Sequence, residues 1–120
     1  MEQSATTVYK ILRPSEWEEA RANSAYLGSA DDIRDGFIHF STAKQMPGTA
    51  SKYFTDTDEI YVLAFKPSVF PTEEMKWEKS RGDQLFPHLY GPLDVALAHI
   101  EKKLVRPADK DFDFSDIIGD

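Results

Sequence analysis

The chain has 120 residues, enough for one compact domain with a single buried core. Its formal net charge of −7 speaks against a generic DNA- or RNA-binding surface, which needs clustered Lys and Arg, but leaves room for a small anion held by a few local cations. There is no cysteine, which excludes a disulfide frame, a thiolate nucleophile and a zinc–thiolate site.

Met1 to Thr7 is polar and has neither the basic region nor the apolar core of a signal peptide. No apolar run approaches the ~18 residues that span a bilayer. The expectation is a soluble, cytoplasmic protein with no membrane partner. Val8 to Leu12 reads as a strand ended by Pro14. Ser15 then opens a helix with Glu18 completing a capping box, and Trp17, Ala20, Ser24 and Leu27 give it an apolar face closed by Gly28. Ser29 to Asp35 reads as a polar connection.

Phe37 to Ser41 reads as a strand that sends Phe37, His39 and Ser41 to one face and Ile38 and Phe40 to the other. The second face is plain core, and the first is chemically mixed. Thr42 and Gln45 match a second capping box. Ala43, Met46, Ala50, Tyr53 and Phe54 then fit one helical face, with a first turn loosened by Pro47 and Gly48. Glu59 to Phe65 is apolar on both faces, the pattern of a central strand. Met75 to Glu78 alternates, and Lys79 to Gln84 is a charged loop holding Arg81 and Gly82. Leu85 to Pro92 places His88 and Tyr90 in a loop braced by prolines and Gly91. Leu93 to Val105 fits a helix or a strand, read here as a helical turn followed by a strand. The tail from Arg106 is acidic and expected to hang loosely on a core of about residues 8–105. The whole chain, 1–120, is a single domain of α+β class with curved, partly split mixed sheets and two or three short helices.

His39 is the leading candidate for chemistry, with a structural histidine bonded to a carbonyl as the alternative. Ser41 and Thr42 beside it can serve a site or cap a helix. His88 and Tyr90 form either a ligand wall or a buried plug. Glu78 is a second acid candidate or a solvated charge, and Arg81 either meets a phosphate or carboxylate in bidentate fashion or stands free at the surface. His39 and His88 are far apart in sequence and carry no metal-ligand signature, so the site is expected to be metal-free. Gly-x-Ser-x-Gly, Gly-x-Gly-x-x-Gly and the Walker loop are all absent.

Val8-Tyr9-Lys10-Ile11, the Trp17 helix, Asp35-Gly36-Phe37-Ile38-His39-Phe40-Ser41-Thr42 with Gln45, and Phe86-Pro87-His88-Leu89-Tyr90-Gly91-Pro92-Leu93 together resemble the domain of unknown function 952 family, over roughly residues 8 to 105. That family is similar to a compact ADP-ribosyltransferase fold, nearest to the branch of RNA 2′-phosphotransferases. The resemblance implies a cleft between two small sheets that binds NAD or an ADP-ribose-like nucleotide, with a phosphorylated RNA end as a possible second substrate. It implies His39, Glu78 and His88 as catalytic candidates and Lys10, Ser41, Thr42, Tyr53, Arg81, Phe86 and Tyr90 as ligand contacts. Tyr53, Phe86 or Tyr90 would wall the nicotinamide, and Glu78 would stabilise a ribosyl cation. Without Glu78 in the cleft, 2′-phosphate transfer is the better expectation. Many family members carry histidine in the first strand where this chain has Lys10, a charged donor with no acceptor. A non-catalytic nucleotide- or partner-binding module is the alternative.

Overall fold

The computed structural model describes residues 7–23, 25–79, 84–115 and 117. In chain order the elements are strand β1 (Val8–Leu12), helices α1 (Pro14–Ala22) and α2 (Ala30–Asp35), strand β2 (Ile38–His39), helix α3 (Met46–Tyr53), and strands β3 (Glu59–Phe65), β4 (Met75–Lys79), β5 (Leu85–Leu89) and β6 (Ile100–Val105). They form two three-stranded sheets, in the orders β1-β3-β6 and β2-β5-β4. Every strand pair is antiparallel, so the sheets are not the mixed ones expected from the sequence. The reason lies in the connections. The helical segments carry the chain from one sheet to the other instead of returning it to the same sheet as parallel crossovers. The sheets meet where Tyr9 and Ser41 exchange two backbone hydrogen bonds of 2.8 Å.

β3 is the central strand of its sheet, and its alternation serves two cores. Leu63 and Phe65 face a cluster with Val8, Leu12, Ile38, Phe40 and Leu89, against which Tyr61 packs stacked on Trp17. Ile60, Val62 and Ala64 face a second cluster with Met46 and Ala50 of α3. Phe112, Phe114 and Ile117 are buried in that second cluster, so the tail is part of the core and does not hang free. The apolar side chains of Phe112, Phe114 and Ile117 cover a sheet face that would otherwise meet water.

The helices depart from expectation in instructive ways. α1 begins at Pro14, whose missing N–H costs nothing in a first turn. Glu16 Oε1 accepts from the Arg13 N–H at 2.9 Å, while Glu18 only pairs with Arg21. The helix ends at Ala22, and Leu27 is exposed; Ser24 lies outside the described residues. The polar connection is α2. Ser29 Oγ accepts from the Asp32 N–H at 3.2 Å, Asp32 Oδ2 accepts from the Ser29 N–H at 2.9 Å, and Gly36 closes the helix at φ +88°. Gly28 does not close α1. At φ +112° it leaves space for Asp32, whose Cβ would lie 2.5 Å from any Cβ added there. α3 begins at Met46, with Pro47 in its first turn, where a missing N–H leaves no helical bond unmade. Thr42 and Gln45 do form their reciprocal bonds, at 3.0 and 3.3 Å, in the turn before α3. The Leu85–Leu89 loop is β5, the middle strand of the second sheet. For Leu93 to Val105 the turn-then-strand reading holds, as a 3-10 turn at Val95–Leu97 and then β6.

Candidate functional site

Three strands and one short helix bring polar groups to the junction of the sheets. In β1 the neighbours Tyr9 and Ile11 enter the second core cluster, so alternation sends Lys10 the other way. It is 5% exposed, and its ammonium donates to Asp32 Oδ2 at 2.9 Å and to the His39 carbonyl at 3.0 Å. Asp32 is 2% exposed and is the most heavily bonded group of the site. It accepts from Lys10, from the backbone N–H groups of Ser29 and His39, and meets His39 Nδ1 through Oδ1. Burial pushes its pKa up. The His39 hydrogen bond, the Lys10 charge and the Ser29 N–H together outweigh that push and hold it well below the usual carboxylate range.

His39 and His88 are direct partners in the β2–β5 register, with ring centroids 5.6 Å apart and planes at 70°. His39 therefore has a carboxylate at each ring nitrogen, since Asp35 Oδ2 lies 3.1 Å from Nε2. Asp35 also accepts from the exposed Arg34, and its pKa is lowered chiefly by that bond. His88 is buried, with Nδ1 2.7 Å from Glu78 Oε1 and Phe37 stacked on its face at 4.0 Å. The Tyr90 hydroxyl donates to the same Glu78 oxygen at 2.8 Å. Burial lowers the His88 pKa against the opposing pull of Glu78. The His88 bond in turn is the main cause of the lowered Glu78 pKa.

These groups open onto one cleft of about 180 Å³. Lys10, Asp32, Asp35, His39 and His88 line one part of it, and Ser41 is hydrogen-bonded there to Thr49 at 3.0 Å. Tyr53, Phe54 and Phe86 contribute an aromatic wall. Arg13 and Arg34 also line it, and both are already paired, Arg13 with Asp56 and Glu16 and Arg34 with Asp31 and Asp35. Of the residues singled out from sequence, Lys10, His39, Ser41, Tyr53, Phe86 and His88 thus share one cleft. Thr42, Glu78 and Tyr90 are not among its lining residues. Thr42 is held in its turn by Gln45, and Glu78 with Tyr90 backs His88. Arg81 lies outside the described residues. Sequence reasoning missed Asp32 and Asp35. The signal was Ser29-x-x-Asp32, a capping box with aspartate in the acidic position.

A small α+β domain with a polar cleft where two antiparallel sheets meet is the class of protein that fold and site define. The chain belongs to the family described as protein of unknown function (DUF952), which it matches over residues 11–100. Among solved structures it is similar to protein CC0527 from Caulobacter crescentus. The crystal structure of that protein is 41% identical with a TM-score of 0.85, over 92% of this chain and 96% of that one. Its solution NMR structure is 41% identical with a TM-score of 0.77, over 92% and 94%. No curated protein matches the chain.

Proposed function

We propose that the cleft binds the ribosyl part of a nucleotide of the NAD or ADP-ribose class, on an ADP-ribosyltransferase-like scaffold. The observation that carries this reading is the convergence of Lys10, His39 and His88, from three different strands, with Ser41 and an aromatic wall on one cleft. The volume favours a sugar over a whole nucleotide. About 180 Å³ is below the usual range for drug-sized ligands, so the remainder of the ligand lies outside it. The charges also favour a sugar. Asp31, Asp32, Asp35 and Glu16 line the cleft, and its Lys10, Arg13 and Arg34 are already ion-paired. Carboxylates accept from ribose hydroxyls, whereas a bare phosphate dianion would have to compete with them.

NAD cleavage is disfavoured. Glu78, the candidate for stabilising a ribosyl cation, is bonded to His88 and Tyr90 and is not a lining residue. The proposed role is therefore binding, without release of nicotinamide. Titration calorimetry of the full chain with NAD and with ADP-ribose tests it. Heat is expected for the wild type and is lost in His39→Ala, whose side chain is partly exposed and not part of either core. Absence of heat with both ligands would sink the reading.

A further inference from the structure

Holding a ribose does not require two carboxylate-backed imidazoles facing each other, yet the strand register places them there. His39 and His88 are cross-strand partners with rings 5.6 Å apart, and each has Nδ1 on a carboxylate, Asp32 or Glu78. Their surroundings are otherwise unequal. His39 has a second carboxylate, Asp35, whose Oδ2 lies 3.1 Å from Nε2. His88 meets the Glu78 carboxylate, has Phe37 stacked on its face and is buried, yet lines the cleft. With its proton on Nδ1 toward Glu78, its Nε2 keeps a lone pair. Two imidazoles that face each other on one cleft, each oriented through Nδ1 by its own carboxylate and otherwise in unequal surroundings, are an arrangement from which acid and base roles can be divided.

We propose that His39 and His88 are the acid and base of a site that hydrolyses cyclic phosphodiesters of ribose, a deepening that rests on the ribosyl-binding reading above. His88 Nε2 takes a proton from water as the water oxygen forms a bond to phosphorus. The bond from phosphorus to one ribose oxygen breaks, and its electron pair stays on that oxygen. His39 Nε2 gives that oxygen its proton, and the product is a ribose phosphomonoester, one water richer than the substrate. The proton gained by His88 and the one lost by His39 are restored by exchange with solvent, so the cycle closes without a further reactant. Water is the nucleophile because the chain has no cysteine and Ser41 Oγ is bonded to Thr49. A five-membered cyclic phosphodiester fused to ribose suits the small cleft, carries one negative charge where a phosphate dianion carries two, and is strained, so that attack of water assisted by proton transfer opens it.

Among the described residues, Asp32 and Asp35 from α2 and the Lys10 ammonium from β1 stand around His39, and Glu78 and the register partner Lys76 from β4, together with Tyr90 and the charge of Asp35, stand around His88. Glu78 and Asp32 are positioning residues, each holding its ring through Nδ1.

The test is chromatographic detection of adenosine monophosphate formed from adenosine 2′,3′-cyclic phosphate by the full chain, across pH 5 to 9. A bell-shaped profile is expected, with turnover falling roughly 100-fold or more in His39→Ala and in His88→Gln. Glu78→Gln should displace one limb of the profile as well as lowering the rate. Absence of hydrolysis by the wild type overturns the proposal, whatever the variants do. Turnover that survives in both folded histidine variants overturns it as well. If ADP-ribose binds by calorimetry while the cyclic phosphate is untouched, acid–base chemistry falls and ribosyl binding stands. If the cyclic phosphate is turned over while ADP-ribose and NAD give no heat, the chemistry stands and the NAD-type ligand falls.

Discussion

Replacing Lys10 by methionine tests how the site is held together. The substitution keeps the length and apolar stem of the side chain and removes the ammonium. Lys10 and Asp32 are both nearly inaccessible, at 6% and 2% side-chain exposure, and 2.9 Å apart. Removing one partner of a buried pair leaves the other charge uncompensated, at a cost of about 3–5 kcal/mol. Asp32 keeps the Ser29 and His39 N–H groups and the His39 ring, which places the expected loss at the lower end, about 3 kcal/mol. With a urea m-value of about 1.5 kcal/mol/M, the unfolding midpoint should drop by about 2 M. Urea titration followed by circular dichroism measures it. The double variant Lys10→Met/Asp32→Asn should fall short of the summed single losses by about 1 kcal/mol or more, because the two side chains share one interaction. A loss below about 1 kcal/mol for Lys10→Met, the size expected of a solvated surface pair, would refute the claim that this pair is desolvated and essential to the site.

Two further outcomes follow from burial. Phe114→Ala should cost about 3 kcal/mol in the same titration, because the ring is 4% exposed in the second core cluster; a loss below about 0.5 kcal/mol would mean the tail is not packed. His88 has a folded pKa below its ordinary value, so the unfolded chain binds more protons near neutrality. Stability should therefore rise with pH up to about 6.5 and fall as pH drops below it, in a window distinct from that of Asp32. The depressed Asp32 pKa contributes stability that is complete above the ordinary carboxylate value of about 4 and is lost as pH falls through the folded one. Urea midpoints of wild type and His88→Gln between pH 5 and 8 should diverge toward acid, and parallel curves would refute the assignment to His88.

The sequence by itself determined the strands whose runs are rich in β-branched, aromatic and aliphatic residues, and which residues share a face. Val8 to Leu12 and Glu59 to Phe65 form as their patterns dictate, and Ile38 and Phe40 enter the core while His39 does not. It also singled out His39 and His88, because an imidazole set among apolar residues stands out in a period-two pattern. It misread Leu85 to Leu89, where two prolines and a glycine nearby signalled a loop. Only the sheet decided otherwise, with β2 and β4 pairing on either side and Phe40 donating to the Pro87 carbonyl. The antiparallel sheets and the buried tail were equally matters of tertiary packing, since no local pattern says which sheet a strand will join. The same holds for the site's centre. Ser29-x-x-Asp32 spells a helix cap, and that is how Asp32 bonds to the Ser29 N–H. Its bonds to Lys10, 22 residues away, and to the His39 ring exist only because β1 and β2 meet at Tyr9 and Ser41. A carboxylate in a capping motif looks local in sequence, and its long-range role appears only once the fold has removed it from water.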